Sequence, residues 1–115
     1  MAGLLDRTRI DEIKHIERAT GQNDMFSGMV RTLEGNLAGF GAAFSDCIAR
    51  GDFAGAERAA HTLRGACHQF GAQALGELFA DIERSAKAGD YADAMHRFDG
   101  GASLIAQSLD ALKHA

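Results

Sequence analysis

Residues 60–71 read Ala60-His61-Thr62-Leu63-Arg64-Gly65-Ala66-Cys67-His68-Gln69-Phe70-Gly71, and the way this run lies on a helix decides the fold. At about 100° per residue, Ala60, Leu63, Cys67 and Phe70 form one apolar stripe, while His61 falls on another side. A glycine inside a helix costs about 1 kcal/mol relative to alanine, so Gly65, one turn beyond His61, calls for a reason. Gly71 supplies a stop. The stretch reads as a helix anchored on one side, with an imidazole and cleared ground on another.

Carried upstream, the stripe takes in Phe53 and Ala56, and the helix runs from about Asp52 to Phe70. His61 lies about 130° from the centre of the stripe and is expected on the surface, beside Ala54, Arg58 and Gly65. Arg64 sits on the flank between this face and the core. Ahead of it, Phe26, Val30, Leu33, Leu37, Phe40, Phe44 and Cys47 alternate steps of four and three. That spacing predicts a long helix from about Asp24 to Arg50, suited to antiparallel packing. Gly28, Gly35, Gly39 and Gly41 weaken it intrinsically, so packing has to hold it. Between the two, Gly51 suits a left-handed stop and Asp52 the following N-cap. Arg50-Gly51-Asp52 also spells an integrin-binding tripeptide, but stop-and-cap chemistry already accounts for it.

The remaining segments obey the same grammar. Ile10, Ile13 and Ile16 predict a short amphipathic helix from Arg9 to about Ala19, with Leu4 and Leu5 packing ahead of it. Gly21-Gln22-Asn23-Asp24 ends it and offers Asn23 or Asp24 as the next cap. After Gly71, a helix from about Ala72 to Ala88 buries Leu75, Leu78, Phe79, Ile82 and Ala86. Gly89-Asp90 repeats the stop-and-cap device. A last helix buries Tyr91, Met95, Phe98, Ala102, Ile105, Leu109 and Leu112, with a kink or break expected at Gly100-Gly101. The reading is all-α: an antiparallel up-down four-helix bundle with a short N-terminal capping helix, residues 1–115 forming a single domain.

Composition narrows the function. A net charge of −4 argues against nucleic-acid binding, which needs a concentrated basic surface. No apolar run approaches the roughly 20 residues of a membrane span, and Met1-Ala2-Gly3-Leu4-Leu5-Asp6 lacks the pattern of a signal peptide. Cys47 and Cys67 make no disulfide framework, and both read as core residues. A reduced, cytoplasmic monomer is the expectation. There is no Gly-rich phosphate loop, so no ATP site of its own is expected. His61 and His68, seven residues apart, stand about 10 Å apart along a helix, too far to share one metal ion at about 2.1 Å.

The chemistry of the exposed face points to a phosphoryl group. A neutral imidazole is a good nucleophile toward phosphorus and keeps the acquired group labile, which suits a carrier. Arg64, at i+3, reaches over His61 to meet phosphoryl oxygens with charge-assisted bonds. Gly65, at i+4, puts no side chain in a partner's way.

His61-Thr62-Leu63-Arg64-Gly65-Ala66-Cys67-His68-Gln69-Phe70-Gly71 resembles the signature of histidine-containing phosphotransfer (HPt) domains: His, any residue, apolar, Lys or Arg, Gly, two small, two variable, apolar, Gly. Ala49-Arg50-Gly51-Asp52 upstream, and Leu75, Leu78, Ile82, Glu83 and Gly89-Asp90 downstream, keep the family's rhythm over about residues 24–99. The resemblance implies that His61 accepts phosphate on Nε2, that Arg64 is the basic residue and that Gly65 is the clearance glycine. Glu83 stands where the family often has a polar residue supporting the site. His68 and Gln69 are further supporting candidates. Arg64 replaces the commoner Lys, His68 stands where a small residue is usual, and Phe79 where Cys is frequent.

The resemblance further implies a non-enzymatic phosphocarrier of a two-component phosphorelay of the bacterial type. It has no cofactor or metal of its own, the Mg²⁺ arriving with the partner. The partners implied are response-regulator receiver domains, a hybrid histidine kinase, or both. Docking is expected on the His61 face, with Met25, Met29 and Ile13 around it. Two rivals remain: a helical bundle that binds a receiver or kinase without carrying phosphate, and the phosphoacceptor module of a chemotaxis-type kinase, for which 115 residues leave no kinase body.

Overall fold

The structure, a computed structural model, describes residues 3–115, and every regular element among them is a helix. They are α1 (Arg7–Thr20), α2 (Met25–Ala49), α3 (Phe53–Gln69), α4 (Gln73–Lys87), α5 (Tyr91–Gly100) and α6 (Ala102–Lys113). The caps at Asp52 and Asp90 follow the anticipated chemistry, whereas Asp24 precedes α2 without a side-chain cap bond. Asp52 and Asp90 accept hydrogen bonds from the backbone N–H groups of Gly55 and Asp93, at 2.9 and 3.0 Å, and Asp6 caps α1 through Arg9 N–H in the same way. Such caps typically contribute about 1 kcal/mol each. Gly51 and Gly71 end α2 and α3 at φ of 74° and 80°, conformations that cost any other residue strain.

α3 packs most extensively on α4, which in turn packs on α5, while α2 packs on α3, and α6 touches α2 and α4. Phe40 lies at the centre of the core. Its ring meets Phe79 edge-on at 5.1 Å between centroids, with Phe44 at 5.3 Å and Phe98 at 4.9 Å. Offset and edge-on pairs of this kind add to the burial energy of the rings. α1 lies across the end where the α3–α4 turn, the start of α2 and Ala115 meet. Asp6 N–H donates to the Gly71 carbonyl (2.8 Å), Glu17 Oε1 accepts from Phe26 N–H (2.9 Å), and Lys14 Nζ donates to the Ala115 carbonyl.

Several sequence-based placements change. Ile16 is exposed, because each step of three falls 60° short of a full turn and carries it about 120° round from Ile10. Ile13 is buried, so it cannot belong to a docking patch. Phe53 lies outside, stacked on Tyr91 at 4.9 Å between centroids; both come directly after a capping Asp and cover one another at the same end. Cys47 is only half-buried. Most informative is Gly101, which ends α5 and starts α6. A Cβ there would stand 2.7 Å from a methyl of Leu78, so α4 presses into the space that the missing side chain leaves. The inward positions Ala94, Gly101 and Ser108 keep seven-residue steps across this break, with Leu112 one turn further on, and Ala102 faces out.

Candidate functional site

The α3–α4 contact brings the site together. His61 emerges from α3 with its side chain 59% exposed. Glu83 comes from α4, next to Ile82 on the inward stripe, and is only 2% exposed. A carboxylate removed from water to this degree must be paired. His61 Nδ1 and Lys87 Nζ both reach its Oε2 at 3.0 Å, and Arg64 Nη1 stands 3.2 Å from Oε1. The Arg64 contact is Coulombic only, since Oε1 receives no well-directed hydrogen bond. Burial pushes the Glu83 carboxyl up, but the contacts to Lys87 and His61 and the charge of Arg64 together outweigh it and hold the group below its ordinary value. It stays ionised at neutral pH.

That charge selects the imidazole tautomer. A carboxylate only accepts hydrogen bonds, so at 3.0 Å it requires a proton on Nδ1. Arg64 Nη2 also lies 3.1 Å from Nδ1, but a guanidinium only donates, and one nitrogen cannot accept from Arg64 while donating to Glu83. The Glu83 bond prevails because it offsets the burial of an ion. The lone pair is then on Nε2, which no described residue engages. An exposed imidazole with its nucleophilic nitrogen directed to solvent and its proton held from behind is equipped to take up an electrophilic group and give it back.

A family model described as Hpt domain matches residues 11–115. The chain belongs to the Hpt domain family. Hpt domains carry phosphoryl groups on histidine in phosphorelays, where they interact with receiver domains and kinases, and they are phosphocarriers rather than enzymes in the ordinary sense. Neither the curated proteins nor the solved structures provide a match.

In this Hpt domain the other candidate residues divide. Arg64 and Glu83 join His61 directly. Among the described residues, no atom beyond its chain neighbours and its own helix backbone comes within 4 Å of where a Cβ of Gly65 would stand, so no contact there requires a glycine. His68 and Gln69 are not drawn into the cluster. The His68 ring covers Gly76 of α4, in the space a Cβ would need, and the Gln69 backbone carbonyl accepts from Arg9 Nε at 2.8 Å. Lys87 belongs to the cluster without being among the sequence-based candidates; its i,i+4 spacing from Glu83 is the signal that points to it. Cys67 is fully buried and its thiol is pushed up to about 12 by desolvation, which makes it inert.

Beside the site, α2 and α3 leave an open groove of about 520 Å³ lined by Gly35, Gly39, Ala59, Thr62 and Ala66 among others. The small residues beside His61 are therefore on the middle of α2 and on α3, whereas Met25 and Met29 at the start of α2 are half-buried against the core. Among the described residues, no helix is long and apolar enough to cross a membrane.

Proposed function

We propose that His61 is the phosphoacceptor of this Hpt domain, and that the chain carries a phosphoryl group between receiver-domain aspartates of a two-component phosphorelay. One observation carries the reading: an exposed His61 whose Nδ1 is bonded to the buried, ionised Glu83. Nε2 attacks the phosphorus of an aspartyl phosphate in line. The N–P bond forms as the acyl O–P bond breaks, and the aspartate carboxylate leaves with the electron pair. The Nδ1 proton stays on the ring, where Glu83 stabilises the positive charge that the imidazole gains. Arg64 meets the phosphoryl oxygens. With a loose transition state, positioning and charge account for most of what the protein contributes. Attack by a second receiver's aspartate reverses the step and restores the imidazole.

Gly65 leaves room for the receiver, whose Mg²⁺ completes the site, and this chain needs no cofactor of its own. His68 and Gln69 stand outside the transfer. α2, α3, α4 and the α5–α6 pair act as the four antiparallel members of an up-down bundle, with α1 across one end, in one domain working as a cytoplasmic monomer. The test is incubation with a phosphorylated receiver. Label passes to this chain in an acid-labile, alkali-stable form, and His61→Gln abolishes it. Equal labelling of His61→Gln overturns the assignment. Failure of the wild type to take label from every receiver and kinase of its organism favours a bundle that only binds.

A further inference from the structure

The Glu83 carboxylate has more cations around it than orientation of His61 requires, and they are not equivalent. Lys87 Nζ and His61 Nδ1 share Oε2 at 3.0 Å. Arg64 stands 3.2 Å from Oε1 without a directed bond, and its second contact faces the protonated Nδ1. Arg64 is therefore held by charge alone, in a place where neither of its contacts is good.

We propose that Lys87 is a positioning residue for the transfer: it keeps Glu83 compensated, so that Arg64 is free to leave the carboxylate for the phosphoryl oxygens. The inference rests on His61 being the phosphoacceptor. Glu83, Arg64 and Lys87 line one small cleft with Ala80 and Arg84. Removing one partner of a buried charge is costly when nothing replaces it. Without Lys87, Arg64 is the one full cation among the described residues left in contact with Glu83, and the buried carboxylate retains it. Arg84, on the wall of the same cleft, is already paired with Asp81 at 2.8 Å. On α5, Arg97 is paired with Asp93 at 2.8 Å and offers no substitute. Lys87 itself is well exposed, with 61% of its side chain accessible, so its removal leaves no cavity and its effect is electrostatic.

The experiment measures phosphoryl uptake by the full chain from phosphoramidate, a small donor that needs no protein partner, at fixed ionic strength. Lys87→Met slows uptake roughly tenfold, a coupling of the size seen within one salt-bridge network, and Lys87→Arg restores most of the rate. Arg64→Ala costs much less in the Lys87→Met background than in the wild type, because Arg64 has already been withdrawn. A merely structural lysine produces neither the rescue nor this coupling. Thermal melts of each variant, with Lys87→Gln as a second neutral replacement, exclude loss of the fold. Uptake by Lys87→Met at the wild-type rate, or independent effects of the two substitutions, overturns the role of Lys87 and leaves His61 as phosphoacceptor intact. Absence of label on the wild type overturns both.

Discussion

His61 Nδ1 lies 3.0 Å from Oε2 of Glu83, 22 residues further along the chain and on the adjoining helix. The bond fixes the proton on one ring nitrogen and the nucleophile on the other. Replacing Glu83 by Ala removes the acceptor of the Nδ1 proton and leaves Arg64 as the neighbour of that nitrogen, and replacing it by Gln keeps an acceptor but removes the charge. Both variants are expected to slow uptake from phosphoramidate by roughly ten- to a hundredfold, the usual effect of losing a partner that orients a functional histidine. ¹⁵N NMR provides an independent check: the wild type carries its neutral-state proton on Nδ1, and Glu83→Ala shows a mixture. An unchanged tautomer together with an unchanged rate removes Glu83 from the mechanism.

The same carboxylate links stability to pH. Its folded-state pKa lies below the ordinary value of 4.5, through Lys87, His61 and Arg64 acting against burial. A depressed folded pKa means that the stabilisation is fully present above the unfolded value and is lost as pH falls through the folded one. Urea titrations of the wild type and Glu83→Gln from pH 7 to about pH 3 isolate this contribution, since the other carboxylates are common to both. The wild type is expected to lose stability relative to Glu83→Gln only below about pH 4.5. Parallel curves throughout that range contradict the depressed pKa.

Gly65 separates folding from function. With no neighbouring atom of the described residues outside its own helix backbone and chain neighbours within 4 Å of a Cβ there, Gly65→Ala fits without adjustment and gains up to about 1 kcal/mol of helix propensity. The variant is therefore expected to melt higher than the wild type. The methyl occupies ground beside His61 that an approaching receiver needs, so transfer from a phosphorylated receiver falls roughly tenfold, well beyond any loss with phosphoramidate. A more stable protein that accepts phosphate from receivers at full rate assigns the glycine no role at the interface.

The helices and their stops are legible in the sequence because they depend on local chemistry: Asp52, Asp90 and Gly71 act within a few residues of themselves. The α2 stripe from Phe26 to Phe44 is equally clear, since a helix packed along its length keeps one phase. The inward face of α5 and α6 is harder to place. Ala102 points outward because Leu78 of α4 occupies the space at Gly101, a contact no local pattern records. The same limit governs the site. His61, Arg64 and Gly65 lie within one turn and a half and are readable together. By its own pattern Glu83 is one more charge on an amphipathic helix; the family resemblance marks it as a supporting residue, but only the α3–α4 packing buries it beneath His61. Lys87 becomes meaningful only once Glu83 is known to need a partner.

His68 shows how a residue within the signature motif belongs to the packing. Its ring lies over Gly76, which is buried, and a Cβ at Gly76 would run into it. This pair lets α3 and α4 approach closely two turns beyond His61, and so helps set the distance that Glu83 has to reach. Gly76→Ala is expected to destabilise the fold by at most about 1 kcal/mol, because the methyl meets an exposed ring that can turn aside and brings helix propensity with it. His68→Ala removes the obstacle, so Gly76→Ala costs considerably less in that background than in the wild type, and the double-mutant cycle is non-additive. Denaturant unfolding of the four proteins measures this coupling. His68→Ala is also expected to take up phosphoryl at close to the wild-type rate, because neither ring nitrogen reaches the His61 cluster. Additive stabilities mean that the ring swings into solvent at little cost. A large loss of uptake with an intact fold returns His68 to the phosphotransfer site.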